Sequence, residues 1–295
     1  MNRNKWFPFL FIAPAVLLFA IFTVYPIVSS LILSFEKSSG EVTTFVGFDN
    51  YLRLFHDKIF WKALYNTFFI FVFQVPIMLF LALILAVALN SQLLKFRGLF
   101  RVGFYLPAVT SLVAYALLFS IMMQDTGFFN NVLGFFGVKP IPWLSSAHWS
   151  KISIIIAMLW RWTGYNMVIY LAALQNIPEE TYEAAAIDGA GKIRQFFSIT
   201  IPQLKPVILF TAILSTIGTL QLFDEPFNLT KGGPADSTMT LGLYIYQSGF
   251  KYYDFGYASA IAYVVVVLVA ILSFIQFKYT REGLSLIHIS EPTRP

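Results

Sequence analysis

The strongest constraint on this chain is a set of six apolar runs, each close to or above the length that crosses a bilayer. They cover residues of about 6–35, 66–89, 103–123, 152–174, 207–223 and 256–277. An α-helix rises about 1.5 Å per residue, so roughly 20 apolar residues span a hydrocarbon core of about 30 Å. Inside lipid no water is present to satisfy backbone N–H and C=O groups, so runs of this kind must be helical. With 58% of its 295 residues hydrophobic and only 12% charged, a water-soluble fold would have nowhere to hide the apolar surface. The expectation is an all-α, polytopic membrane protein with six transmembrane helices.

The segments between the runs differ in character. Arg3 and Lys5 precede the first run, which Pro14 and Pro26 interrupt. It is too long for the apolar core of a signal peptide and lacks a clear small-x-small cleavage site, so it reads as an uncleaved span. Residues 36–65 mix charges with aromatics such as Phe45, Tyr51 and Trp61 and are expected to form short interfacial helices. Residues 124–150 read as an irregular loop, and 224–255 form a further long connector. The end of the chain, 284–295, resembles a non-native read-through tail and is set aside, leaving 1–283 as one membrane domain.

Short connectors on one side carry Lys95, Arg97 and Arg101, then Lys192, Arg194 and Lys205, then Lys278 and Arg281. On the other side the basic residues fall in longer loops accompanied by acids. Because Lys and Arg in short loops bias insertion, both termini and residues 175–206 are expected in the cytoplasm. That distribution also accounts for the formal charge of +5 better than a nucleic-acid surface would, so no nucleic-acid partner is expected.

Several chemistries have no residues to support them. There is no cysteine, and the three histidines, His56, His148 and His288, show no ligand spacing. No phosphate-binding G-x-x-x-x-G-K-[ST] loop, nucleophile elbow or H-E-x-x-H pair occurs, so neither ATP hydrolysis, other catalysis nor metal binding is expected of this chain. An ion-coupled transporter would be expected to bury carboxylates along its pathway, whereas spans one, two, three and six hold no ionisable residue.

The polar residues within spans are the candidates for a solute pathway. Arg161, Tyr165 and Asn166 lie in the patch Trp160–Asn166 of the fourth span, and Thr216, Thr219 and Gln221 in or beside the fifth. Gln74 and Tyr115 are weaker candidates. Arg161 could equally be a structural partner of a neighbouring helix or snorkel to the interface. A lone Thr or Gln in a span more often bonds across helices than touches a solute.

The loop 175–206 is harder to read as filler. Pro178 can open a helix, Glu179, Glu180 and Glu183 suit its N-terminal dipole, and Ala184–Ala186 continue it. Gly189 and Gly191 are placed to stop it in a left-handed turn, and Lys192–Ile199 can form a second short helix before Pro202 and Pro206 lead into the fifth span. The outcome is a stubby helix with an Ala/Gly surface between two rigid spans.

The residues Glu183-Ala184-Ala185, Asp188-Gly189-Ala190, Ile201-Pro202 and Pro206 resemble the coupling-loop signature of the permease subunits of bacterial ABC importers. Tyr25-Pro26, Val46–Tyr51, Trp162–Gln175 and Thr230–Pro234 are similar to the carbohydrate branch, the maltose-, multiple-sugar- and glycerol-phosphate-type permeases. The resemblance implies a type I ABC importer permease fold in the bacterial cytoplasmic (inner) membrane. It implies that Glu183, Ala184, Ala185, Asp188, Gly189, Ala190 and Pro202 form an element that docks on an ATPase. It further implies a second homologous permease, two ATP-binding-cassette ATPase subunits that carry ATP and Mg, and an extracytoplasmic solute-binding protein that delivers a sugar or oligosaccharide. No cofactor would be bound by this chain itself. Oligosaccharide, monosaccharide derivative and glycerol phosphate all stay open as cargo, and a non-sugar importer with the same loop is the alternative.

Overall fold

The computed structural model describes residues 7–39, 42–91 and 94–281; Arg3, Lys5 and the tail 284–295 lie outside them. The chain divides into two units, one built from residues up to Phe60 with Tyr244–Val266, the other from Trp61–Leu243 and the residues from Val267 onward. Among the described residues, five helices are long and apolar enough to cross a membrane, and six if one sharply bent pair is counted as a single span.

In the first unit, helix α1 (Phe7–Phe19) passes through a π-helical turn (Ala20–Val24) into α2 (Tyr25–Leu33), with Pro14 inside α1 and Pro26 in the first turn of α2. The chain then turns at Ser34, whose hydroxyl lies 2.8 Å from that of Tyr51. The stretch 36–65, expected to be helical, opens instead with a β-hairpin in which β1 (Glu36–Ser39) pairs antiparallel with β2 (Val42–Phe45), Glu36 opposite Phe45. The β-branched and aromatic run Val42-Thr43-Thr44-Phe45 favours this pairing over a helix. Asn50, buried at the start of α3 (Asp49–His56), donates from Nδ2 to the carbonyls of Ser34 and Glu36, both at 2.9 Å, and so fastens the hairpin to that helix. Asp57 follows and accepts the N–H groups of Ile59 (2.8 Å) and Phe60 (3.3 Å), capping α4 (Lys58–Asn90). The hydroxyls of Tyr244 and Tyr257 also donate to Asp57. Beside it Arg53 forms an ion pair with Asp254 at 2.6 Å and stacks over the Tyr257 ring at 3.9 Å.

The second unit begins along α4. Residues 103–123, expected as one span, are two helices, α5 (Arg97–Val109) and α6 (Leu112–Met122), bent by 99°. The backbone turns extended at Thr110 and Ser111, which ends α5 at Val109. The hydroxyl of Thr110 donates to the carbonyl of Pro107 at 2.7 Å. The connector 124–150 is more ordered than a loop: it contains α7 (Phe128–Phe135), pinned by buried Asn130. Asn130 exchanges two 2.9 Å hydrogen bonds with the backbone of Ile141 and accepts the indole N–H of Trp143 at 3.0 Å.

Helix α8 (Trp149–Leu174) is the most buried of the candidate membrane spans. It joins two core clusters, one around Ile70, Phe119, Trp143 and Ile154, the other around Ala86, Met167, Tyr170 and Leu204. Two short helices, α9 (Glu179–Ile187) and α10 (Lys192–Gln195), lead through a second π turn (Phe196–Thr200) into α11 (Ile201–Leu220). The helix therefore runs on from 192 rather than restarting at 207. Pro202 lies in the first turn of α11 and Pro206 inside it. Such prolines are tolerated in membrane helices where a widened turn or neighbouring groups re-satisfy the backbone. The connector beyond α11 is tied back to α4, because Asn66 donates to the carbonyls of Asp236 and Met239, both at 2.9 Å. It ends in α12 (Leu241–Tyr246), and α13 (Phe255–Arg281) completes the described chain.

Candidate functional site

Two places in the second unit concentrate the residues singled out above. The first is the element between α8 and α11. Pro178 is the extended residue that caps α9, and Glu179 and Glu180 occupy its first turn. The helix ends in a Schellman motif: Gly189 takes a left-handed φ of 79°, its N–H reaches Ala186 at 3.0 Å, and the N–H of Ala190 reaches back to Ala185 at 2.8 Å. Gly191 is extended and does not share in the turn. Beneath the surface, Gln195 is buried and donates from Nε2 to the carbonyls of Ala190 (2.9 Å) and Tyr182 (3.4 Å). The Tyr182 hydroxyl meets that of Thr200 at 3.0 Å. Tyr182, Phe196 and Ile201 pack onto the core cluster of Leu174, Ile177 and Leu204. The element is thus fixed to the helices on both sides. Its outer surface carries exposed Glu183, Ala184, Asp188 and Gly189, with Ala185, Ala190 and Pro202 half-buried. Ile187 and Ile193 project from it with 87% and 78% of their surface exposed.

The second place is a cavity of about 300 Å³ walled by α4, the start of α6, α8, α11 and residues 221–225. Four of the six expected pathway residues line it: Tyr165, Asn166, Thr219 and Gln221. Gln74, a weaker candidate, joins them and accepts a hydrogen bond from the Thr219 hydroxyl at 3.2 Å. Asn166 donates to the Trp162 carbonyl at 3.0 Å. The wall is completed by apolar and aromatic groups, Met78, Met158, Trp162 and Phe223 among them.

Arg161 and Thr216 are not in that wall. The Arg161 side chain is buried with its guanidinium 5.0 Å from the centre of the Tyr115 ring, and its Nε and Nη1 have no hydrogen-bond partner among the described residues. Thr216 donates to the Ala212 carbonyl and accepts from Gln276 Nε2, each at 2.7 Å, which makes it an interhelical link.

Three polar lining residues, Ser215, Asp224 and Glu225, were not among the pathway residues expected from sequence. The signal for the last two was a pair of acids placed directly after an apolar run. Glu225 is only 2% exposed and its Oε1 has no hydrogen-bond partner among the described residues. Burial pushes its carboxyl above the usual carboxylate range and the neighbouring Asp224 charge adds to this, while Arg161 and a hydrogen bond from Trp162 oppose it. Amides, hydroxyls, carboxyls and aromatic faces together suit the recognition of a hydroxyl-rich solute. Among the described residues no group of His, Asp and Glu is spaced to hold a metal ion.

Comparison with known proteins supplies a context for both places. A family model described as the binding-protein-dependent transport system inner membrane component matches residues 51–280. Over 284 residues the chain is 53% identical to the lactose transport system permease protein LacF of Rhizobium radiobacter, covering 95% of this chain and 94% of that protein. It is 37% identical to the arabinooligosaccharides transport system permease protein AraP of Halalkalibacterium halodurans, covering 95% and 89%. Among solved structures, a bacterial ABC transporter involved in the import of the acidic polysaccharide alginate superposes with a TM-score of 0.83 over 98% of each chain. At 23% identity that likeness is one of fold.

Proposed function

From the premise that this chain belongs to the family of binding-protein-dependent transport system inner membrane components, a family of transport permeases and not of enzymes, we propose that it forms half of the pathway by which a sugar or oligosaccharide crosses the membrane. It is a multi-pass protein of the inner membrane with the fold of an ABC importer permease. In this reading a second permease of similar fold supplies the other half. An extracytoplasmic binding protein delivers the solute, and two ATPase subunits hold ATP and Mg, so that this chain itself binds no cofactor. The sugar assignment is supported by relatives named for lactose and for arabinooligosaccharides.

One observation carries the mechanism. Two of the helices that wall the cavity, α8 and α11, are the same two that the exposed 179–191 element joins. A displacement of that element by a nucleotide-driven closure of the ATPase pair would move both walls together. Because buried Gln195, Tyr182 and Thr200 brace it, little of the displacement would be lost in a flexible loop. Alternating access then follows as rigid-body motion of packed helices. The deciding experiment is uptake of labelled lactose into proteoliposomes holding this chain with its partner permease, ATPases and binding protein. Uptake should require ATP and the binding protein. Uptake by this chain alone, driven by a proton or sodium gradient, would instead establish a secondary transporter.

A further inference from the structure

The cavity bears on the charge of the solute, which the family alone leaves open. Two carboxyl groups stand in its wall, those of Asp224 and Glu225, and among the described residues no Lys, Arg or His lines it. Arg161 is the basic side chain that acts on Glu225, yet it lies outside the lining with its guanidinium set over the Tyr115 and Trp162 rings, 5.0 and 5.5 Å from their centres. Glu225 is almost wholly buried, lines the cavity, and keeps Oε1 without a hydrogen-bond partner among the described residues.

We infer that this half of the pathway is built for an uncharged, hydroxyl-rich solute, and that Asp224 and Glu225 are specificity-determining residues that act against acidic ones; the inference rests on the transport reading above. A hydroxyl can donate to Asp224, to Glu225 Oε1 or to the amide oxygens of Gln221 and Asn166, and can accept from their N–H groups. At Glu225 Oε1 such a bond relieves a buried acceptor that has no partner among the described residues. The faces of Trp162 and Tyr165 can cover the C–H surface of a sugar ring, as aromatic side chains do in ligand pockets. An anion entering the same space gives up hydration without meeting a cation in the lining and faces the Asp224 carboxylate. Of the cargoes compatible with the sequence, glycerol phosphate and acidic sugars are therefore disfavoured against neutral saccharides.

The test uses the complex of this chain with its partner permease and ATPases in nanodiscs, without the binding protein, so that selection upstream does not enter. The probes are lactose and lactobionate, the same disaccharide with its reducing end oxidised to a carboxylate, and binding is read by saturation-transfer NMR titration. Lactose should bind at least about tenfold more tightly than lactobionate, the scale expected of one close like-charge contact in a partly screened site. Raising the salt concentration should narrow the gap in the unaltered protein, and Asp224→Asn and Glu225→Gln should each narrow it further while the complex still assembles. Equal binding of the two probes, or a gap unchanged by salt and by both substitutions, would overturn the inference and leave the transport reading standing. Failure of both probes to bind would overturn the sugar reading together with it.

Discussion

Gly164 of α8 lies directly against the backbone carbonyl of Phe104 in α5, so close that a Cβ on Gly164 would overlap the carbonyl oxygen and carbon. Only a residue without a side chain lets the two helices cross at this separation, next to Trp162, Tyr165 and Asn166 of the cavity wall. Gly164→Ala should lower stability by about 1–3 kcal/mol, the cost of overpacking a close contact, and should impair transport by shifting that wall. Gly103→Ala is the control, because nothing lies within 4 Å of a Cβ there. Thermal melts of the two variants in detergent separate the outcomes; equal melting temperatures would show that the crossing is looser than described.

Gly189 makes a different kind of demand. Its φ of 79° closes the Schellman turn, and a Cβ there meets nothing within 4 Å, so a side chain is strained by its backbone and not by crowding. Gly189→Val should cost about 1–2 kcal/mol locally and deform the exposed end of α9. Insertion and assembly should persist while binding-protein-stimulated ATP hydrolysis is lost. Normal stimulation in this variant would remove the coupling role of the element.

Gln195 tests the brace below it. Gln195→Leu keeps the bulk but leaves the Ala190 carbonyl without its 2.9 Å partner. Amide hydrogen exchange across 179–191 should accelerate, by about tenfold for a loss of roughly 1.4 kcal/mol of local stability. Transport should weaken in step. Unchanged exchange would mean that packing by Tyr182 and Phe196 suffices alone.

In the cavity, Thr219→Val removes the hydroxyl that donates to Gln74 and Asn166→Ala removes an amide from the wall. Either change should reduce sugar uptake several-fold while basal ATP hydrolysis and complex assembly continue. If uptake is intact in both, the solute does not pass through this cavity.

Asp57 gives the first unit a pH dependence. Burial alone would raise its carboxyl, but hydrogen bonds from Tyr244, Tyr257 and the N–H groups of Ile59 and Phe60 outweigh this and hold it below its ordinary value. A carboxyl lowered in the folded state stabilises fully above the unfolded value of about 3.9 and loses that contribution as pH falls toward the folded value. The melting temperature should therefore drop as pH falls below about 5, and Asp57→Asn should flatten the drop. A drop of equal size in the variant would place the acid sensitivity elsewhere.

Much of the architecture was legible because its signals are local. Apolar runs mark membrane helices without knowledge of their neighbours, since lipid imposes the same demand on each. The α9 element was legible too: Pro178, the three glutamates, three alanines and Gly189 act within one or two helical turns. Less legible were the hairpin at 36–45, whose strands are too short to alternate clearly, and α7, whose order depends on Asn130 reaching Ile141 and Trp143 more than ten residues away.

The candidate pathway shows the boundary most clearly. Arg161 and Asn166 lie in one polar patch, yet only Asn166 lines the cavity; Thr216 and Thr219 lie three residues apart, yet only Thr219 does. Which face of a span meets a cavity depends on how the helix is rotated against its neighbours, and hydropathy carries no record of that rotation. The sequence by itself determined that this is a helical membrane protein with a short, exposed helical element between two of its helices, because lipid and backbone chemistry act residue by residue. Tertiary structure alone decided that α5 and α6 bend apart, that Gly164 lets α5 pack against α8, and that Asp224 and Glu225 stand in the wall while Arg161 does not, because those outcomes depend on packing between segments far apart in the chain.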